Sequence, residues 1–161
     1  MLLKQDDPGK CTAAKLARMR LARPIYRISR IPARSLVLNP FSSNVIFQGD
    51  RELVEACGLV VVDCSWERVD TAFGSRLPGL GRRLPTLLAA NPTNYAKQHK
   101  LSSMEALAAA LYITGFKDQA KRVLSIFKWG PTFLTLNRDP LESYSSVQTM
   151  NEMAVAEAQY F

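Results

Sequence analysis

Leu59-Val60-Val61-Val62 runs directly into Asp63-Cys64-Ser65-Trp66. The first four residues are apolar without alternation, and three of them are β-branched. That pattern predicts a short strand buried on both faces, as in the centre of a parallel sheet. In open α/β sheets, ligands sit outside the carboxyl ends of the strands. Asp63 therefore stands where chemistry is expected. A carboxylate there can take a proton or hold a ligand amine, or simply cap the turn that follows. Trp66 has a packing reading and one in which its ring face meets a cation. Spacing alone favours packing.

The elements around this strand support an α/β reading of the first part of the chain. Upstream, Asp50 to Cys57 is expected to be a helix stopped by Gly58. Ser35 to Leu38 reads as a strand ended by Asn39-Pro40, and Asn44 to Phe47 as a second extended piece. Thr12 is expected to cap a helix from Ala13 to Ala22, before Pro24 interrupts it. Downstream, residues 74–83 read as a loop. Its Gly79-Leu80-Gly81 is too little for a dinucleotide fingerprint, and no phosphate-binding G-x-x-x-x-G-K-[ST] loop occurs. Leu84 to Ala90 reads as a buried extended segment stopped by Asn91-Pro92.

Helical signals dominate the remainder. Ser102 and Glu105 have capping-box spacing ahead of Ala106 to Thr114, with Gly115 as the stop. Lys117 to Phe127 reads as a further helix, and Leu141 to Ala158 as one or two more. The expected fold class is α/β, with an N-terminal α/β part over 1–62 and a mainly helical part over 63–161. The two parts are expected to share one site.

Composition narrows the function. A chain of 161 residues that is 47% hydrophobic can bury one compact core. No apolar run reaches the roughly 20 residues that span a bilayer, and the first residues lack the plan of a signal peptide. We expect a cytoplasmic protein without membrane contact. The three cysteines are widely spaced, His99 is the single histidine, and no C-x-x-C pair exists. Neither a zinc site nor a Cys–His nucleophile is expected, so no metal is assigned.

Charge is more telling. The formal net charge is +7. Residues 1–34 hold nine basic and two acidic side chains, and residues 35–161 hold twelve of each. Six of the nine are arginines, whose planar fork suits phosphate oxygens. This is the electrostatic footprint of a nucleic-acid partner. Candidate contacts are Lys10, Lys15, Arg20, Arg23, Arg27 and Arg30, with Arg82 and Arg83 on the later loop. Adjacent arginines on a loop are more often simply solvated. No helix-turn-helix or zinc pattern accompanies the basic segment, which points to RNA rather than DNA.

An ordered set of strings then resembles a known family. They are Asp7-Pro8-Gly9-Lys10-Cys11-Thr12, Leu36-Val37-Leu38-Asn39-Pro40, Asp63-Cys64-Ser65-Trp66, Arg82-Arg83-Leu84-Pro85, Ala89-Ala90-Asn91-Pro92-Thr93-Asn94-Tyr95, and Leu101-Ser102-Ser103-Met104-Glu105-Ala106-Leu107. The chain resembles the ribosome-biogenesis aminocarboxypropyltransferases that act on small-subunit ribosomal RNA in archaea and eukaryotes. The resemblance implies a fold like the knotted SPOUT RNA methyltransferases, with a deep trefoil knot in the C-terminal part. It implies S-adenosylmethionine as donor, and nitrogen-3 of 1-methylpseudouridine in small-subunit rRNA or a pre-ribosomal particle as acceptor. A SPOUT-type methyltransferase and a non-catalytic assembly factor are the alternatives.

The resemblance also implies roles for residues. Thr12 would reach the amino-acid end of the donor, and Leu38 and Pro40 would wall the apolar pocket. Val62 would offer its carbonyl to the ribose. Leu84, His99 and Leu101 would line the adenine, and Ser103 would sit at the donor beside the capped helix. Trp66 would bury the sulfonium methyl. Asp63 would lie nearest the transferred arm and act as base. Members carry a β-strand ahead of the Asp-Pro stretch, for which this sequence has only Met1 to Asp6, and Ala13-Ala14-Lys15 stands where Gly-Lys-Lys is expected. The end at Phe161, without a long polar tail, favours an archaeal-type protein. We expect a monomer.

Overall fold

The structure is a computed structural model that describes residues 1, 11–64, 73 and 77–161. The expectations for Lys10, Ser65 and Trp66, and for most of the Asp-Pro-Gly-Lys string, fall outside these residues. Three short strands, β1 (Leu36–Leu38), β2 (Leu59–Val61) and β3 (Leu80–Arg82), form a parallel sheet in the order β2-β1-β3. The parallel pairing is as expected, and among the described strands β1 lies between β2 and β3. The apolar run of β2 fits its two covered faces. Val60 and Val62 pack with Met1, Ile31 and Val37 on one side, while Leu59 and Val61 pack on the main core. On the side away from β1, Met1 meets this strand: its carbonyl accepts from Asp63 N at 2.7 Å and its ammonium donates to the Val61 carbonyl.

β3 lies inside the stretch read as a loop. Leu-Gly-Arg has little strand propensity of its own, but its backbone completes the ladder beside β1. Leu80 N donates to Ser35 O at 2.8 Å and Asn39 N to Arg82 O at 2.9 Å. Tertiary pairing overrides propensity here. Gly79 makes the approach possible: its φ is +97° and a Cβ would lie 2.6 Å from Ser35 O.

The helix α1 (Thr12–Arg18) is shorter than expected, and its cap is Cys11 rather than Thr12. The Cys11 Sγ accepts from Ala14 N at 3.3 Å, which releases the Thr12 hydroxyl for another use. The helix α2 (Arg51–Cys57) ends at Gly58, φ +87°, as the sequence suggests.

The C-terminal part is built around α3 (Ser103–Ile113). Its capping box forms as expected, with Ser102 Oγ accepting from Glu105 N at 3.3 Å and Glu105 accepting from Ser102 N at 2.7 Å. Met104, Glu105 and every residue from Ala108 to Ile113 are buried. Three consecutive alanines keep this helix thin enough to be surrounded. It packs on α1, β2, α4 (Lys117–Leu124) and α6 (Arg138–Ser146). The chain continues through α5 (Gly130–Leu136), which the sequence reading did not anticipate, and closes with α7 (Met150–Glu157). One apolar core runs from Leu16 through Leu36 and Leu87 to Phe133, Tyr144 and Met153. Burying each large apolar side chain contributes about 1.5–3 kcal/mol.

Two buried polar side chains anchor the irregular segment between sheet and helices. The Glu105 carboxylate, with 0% exposure, accepts from Ala90 N, Asn91 N, Asn91 Nδ2 and Ser102 N at 2.6–2.9 Å. Asn137 acts as a substitute strand partner. Its amide oxygen accepts from Leu88 N and its amide nitrogen donates to Leu88 O, both at 2.8 Å. Leu84 to Ala90 is therefore extended, as expected, without being a regular strand. Among the described residues, no helix is long and apolar enough to cross a membrane.

Candidate functional site

The carboxyl ends of β1 and β2 open into a cleft of about 1270 Å³. β1 ends in Leu38, Asn39 and Pro40 on one wall, and β2 ends in Val62 and Asp63 on another. The segment after β3 supplies Leu84, Pro85 and Leu87. The turn at 91–94 and the stretch His99 to Ser103 close the far side, and Thr12 stands at the start of α1. Every described residue that the resemblance assigned to the donor thus lines one cavity: Thr12, Leu38, Pro40, Val62, Leu84, His99, Leu101 and Ser103. Trp66 is outside the described residues. The described tryptophan of the cleft is Trp129, beside Phe127 at a ring separation of 5.3 Å.

Asp63 is held at the floor of this cleft. Its side chain is 8% exposed. Oδ1 accepts from Ser103 Oγ at 2.6 Å, and Oδ2 accepts from Cys11 Sγ at 3.1 Å. Burial pushes the Cys11 thiol up to about 11, helped by the neighbouring Asp63 charge against the Ala14 amide hydrogen bond. The thiol therefore stays protonated near neutral pH and acts as a donor. Thr12 Oγ1 accepts from Met104 N at 3.4 Å, tying the start of α1 to the start of α3. Two helix N-termini and one carboxylate thus converge from segments far apart in sequence. The arrangement leaves the remaining Asp63 lone pairs for a ligand proton or ammonium.

The opposite wall is set by α7. Glu157 accepts from both terminal nitrogens of Arg83, at 3.2 and 3.0 Å, and from the backbone and hydroxyl of Thr86, both at 2.6 Å. Burial alone would raise its carboxyl, but the hydrogen bonds from Arg83 and Thr86 outweigh it and hold it below the ordinary carboxylate value. Tyr144 Oη donates to Thr86 O at 3.2 Å. His99 lies in this wall with φ +58°, a left-handed conformation uncommon outside glycine. The sequence reading missed Glu157, which comes from α7, and Phe127 and Trp129, which come from the turn between α4 and α5; none has a local signature. Cys11 was within reach, since it directly precedes Thr12 in the Asp7 to Thr12 stretch.

The candidate RNA contacts divide. Arg20, Arg23, Arg27 and Arg30 are all exposed, as are Arg18 and Arg34. None forms an ion pair with a described residue. Lys15 stands over the Phe127 ring at 4.0 Å. Arg82 and Arg83 turn inward instead: Arg82 forms a forked pair with Asp50 at 3.1 Å, and Arg83 pairs with Glu157. The basic segment adjoins the cleft. Its Ile25 and Ile31 pack on the cluster that contains Val62 and Phe73, and both of these line the cavity. Among the described residues, no group of three or more His, Cys, Asp or Glu side chains is placed to hold a metal ion.

The chain matches known proteins over most of its length. A family model described as "Ribosome biogenesis protein, C-terminal" matches residues 36–161. The 16S rRNA aminocarboxypropyltransferase of Thermoplasma acidophilum is 52% identical over 143 residues, 88% of this chain and 85% of the relative. The protein of the same name from Methanosarcina mazei is 44% identical over 158 residues, 97% of this chain and 90% of the relative. Among solved structures, the SAM-dependent rRNA:acp-transferase Tsr3 from Vulcanisaeta distributa superposes with a TM-score of 0.88 at 41% identity, covering 98% of this chain and 91% of that one.

Proposed function

Because this chain belongs to the ribosome biogenesis family that includes the archaeal 16S rRNA aminocarboxypropyltransferases, we propose that it moves the 3-amino-3-carboxypropyl arm of S-adenosylmethionine onto 16S rRNA. The acceptor atom in this reading is nitrogen-3 of a 1-methylpseudouridine. What carries the reading is the agreement of both sequence and backbone with relatives of that activity.

The cleft fits such a donor. It pairs apolar walls from Leu38, Pro40 and Leu84 with a polar floor at Asp63, Cys11 and Ser103. A nucleoside with an amino-acid arm needs both. We assign the adenine to the wall of Leu84, His99 and Leu101, and the ribose to the backbone of Val62. The amino-acid end is assigned to Thr12 and Ser103, and the sulfonium methyl to Trp66.

A sulfonium has three carbons open to attack, and the one presented to the acceptor decides the product. Burying the methyl and presenting the arm turns a methyltransferase plan into an arm transferase. Positioning of this kind supplies several kcal/mol of barrier lowering. In the step we propose, the ring N3–H gives its proton to Asp63 and nitrogen-3 attacks the γ-carbon of the arm. The carbon–sulfur bond breaks with its electron pair on sulfur, and 5′-methylthioadenosine leaves. Ser103 and Cys11 orient the Asp63 carboxylate for this role. Arg20, Arg23, Arg27 and Arg30, with Lys10 and Lys15, are assigned to the RNA backbone beside the cleft. Arg82 and Arg83 are assigned to the frame of the site rather than to phosphate.

We read the C-terminal part as threaded through a deep trefoil knot of the SPOUT kind, on the strength of the family resemblance. We read the protein as a monomer, with the alanine-rich helix α3 packed inside the chain against α1, α4 and α6. The by-product tests the activity. Incubation with small-subunit rRNA and S-adenosylmethionine should release 5′-methylthioadenosine. Release of S-adenosylhomocysteine would assign a methyltransferase, and donor binding without either product would assign an assembly factor.

A further inference from the structure

The Glu157–Thr86–His99 chain of contacts has a directional logic. Glu157 is held below its ordinary carboxylate value, so it is an anion near neutral pH and can only accept. Thr86 has a single hydroxyl hydrogen, and at 2.6 Å from Glu157 Oε1 that hydrogen is committed to the carboxylate. The Thr86 oxygen also lies 3.4 Å from His99 Nε2. Having given its hydrogen away, the hydroxyl can only accept from the ring. Nε2 must then carry the proton, and in the neutral imidazole Nδ1 becomes the acceptor. The ring belongs to a residue of the cleft wall, and the Glu157 carboxylate that orders it comes from the last helix of the chain.

From this geometry we infer that Glu157 is a positioning residue for the donor cleft, acting through Thr86 to fix the tautomer and pose of His99. The same carboxylate holds Arg83 and the Thr86 amide, so α7 braces the wall formed by Leu84 to Leu87 while it orders the ring beside it. The ligand class is a purine nucleoside carried by a sulfonium donor, and to that extent the inference rests on the proposed function. Asn137, between α5 and α6, and Tyr144 on α6 hold the same segment through Leu88 and the Thr86 carbonyl, so the wall has supports that do not involve the ring.

His99 is the single histidine of the chain, which makes the test clean. The full chain is labelled with ¹⁵N, and the two imidazole nitrogens are read by long-range ¹H–¹⁵N correlation above the ring's titration. Donor affinity is measured by calorimetry with S-adenosylmethionine. The wild-type ring should show the Nε2–H tautomer. Thr86→Val should convert it to a mixture and weaken donor binding about tenfold, the effect of one hydrogen bond. Glu157→Leu, which removes the acceptor, should do the same, and Thr86→Ser, which keeps the hydroxyl, should restore both. An unchanged tautomer in Thr86→Val and Glu157→Leu would overturn the inference, as would a wild-type ring carrying its proton on Nδ1. A tautomer that moves without any change in affinity would also overturn it. If the wild type bound no S-adenosylmethionine, the proposed function would fall on its own, while the tautomer readings would still judge the Glu157 relay.

Discussion

Ser103 Oγ donates to Asp63 Oδ1 at 2.6 Å, across forty positions of sequence. This contact joins the carboxyl end of β2 to the first turn of α3, and it lies at the floor of the cleft. With Cys11 on the other oxygen, it holds the carboxylate in one orientation. The strand end that the sequence marks as a place for chemistry is thus built by residues from three separate segments.

Asp63→Asn should leave the cleft intact, because the amide preserves shape. Turnover should fall by about a hundredfold or more, the range ascribed to a lost general base, with S-adenosylmethionine still bound. Single-turnover kinetics beside calorimetry would check this. Turnover like the wild type with normal donor binding would remove Asp63 from the base role.

Glu105→Ala should destabilise the fold by roughly 3 kcal/mol or more, because it leaves the amides of Ala90, Asn91 and Ser102 and the Asn91 side chain without their acceptor. Denaturant unfolding gives the value. A loss below about 1 kcal/mol would mean that solvent replaces the carboxylate freely.

Replacing Arg20, Arg23 and Arg27 together with alanine should weaken rRNA binding and reduce the slope of log affinity against log salt by about 2 to 3. Donor affinity should stay unchanged, since these exposed side chains do not line the cleft. An unchanged slope in a filter-binding or anisotropy series would move the RNA face elsewhere.

Two titrations set stability at opposite ends of the pH scale. The folded Glu157 carboxyl lies below its ordinary value of 4.5, where burial is outweighed by Arg83 and Thr86. Its contribution is present above 4.5 and is lost as pH falls through the lower folded value. The folded Cys11 thiol lies at about 11 against an ordinary 9.0, raised by burial first. Its contribution is full below 9.0 and is lost as pH rises towards 11. Glu157→Gln should therefore flatten the acid limb of a stability profile. Alkylation of Cys11 should accelerate only as pH approaches its raised value.

Local chemistry was the legible part. Leu59 to Val62 announced a two-sided buried strand, Gly58 and Gly115 marked helix ends, and Ser102 with Glu105 announced a cap that forms as read. What escaped was set by partners distant in sequence. β3 exists because its backbone meets β1, not because Leu-Gly-Arg favours a strand. The order of the described strands, with β1 between β2 and β3, is encoded by no periodicity. Asn137 and Glu157 act on Leu88 and Thr86 from about 49 and 71 residues away, and an isolated Asn or Glu in a helical stretch carries no mark of such a role. The Cys11 cap displaced the expected Thr12 cap because its sulfur accepts from Ala14 N, while the Thr12 hydroxyl turns to Met104.

The measurement that bears most directly on the central claim is the mass of the modified nucleoside. Small-subunit rRNA would be incubated with this protein and S-adenosylmethionine labelled in the aminocarboxypropyl arm, then digested and analysed by mass spectrometry. The account predicts one labelled nucleoside bearing the whole arm on a 1-methylpseudouridine, and none with Asp63→Asn. A nucleoside bearing only a methyl group, or no label at all while the donor is bound and the same rRNA is modified by the Thermoplasma acidophilum relative, would contradict it.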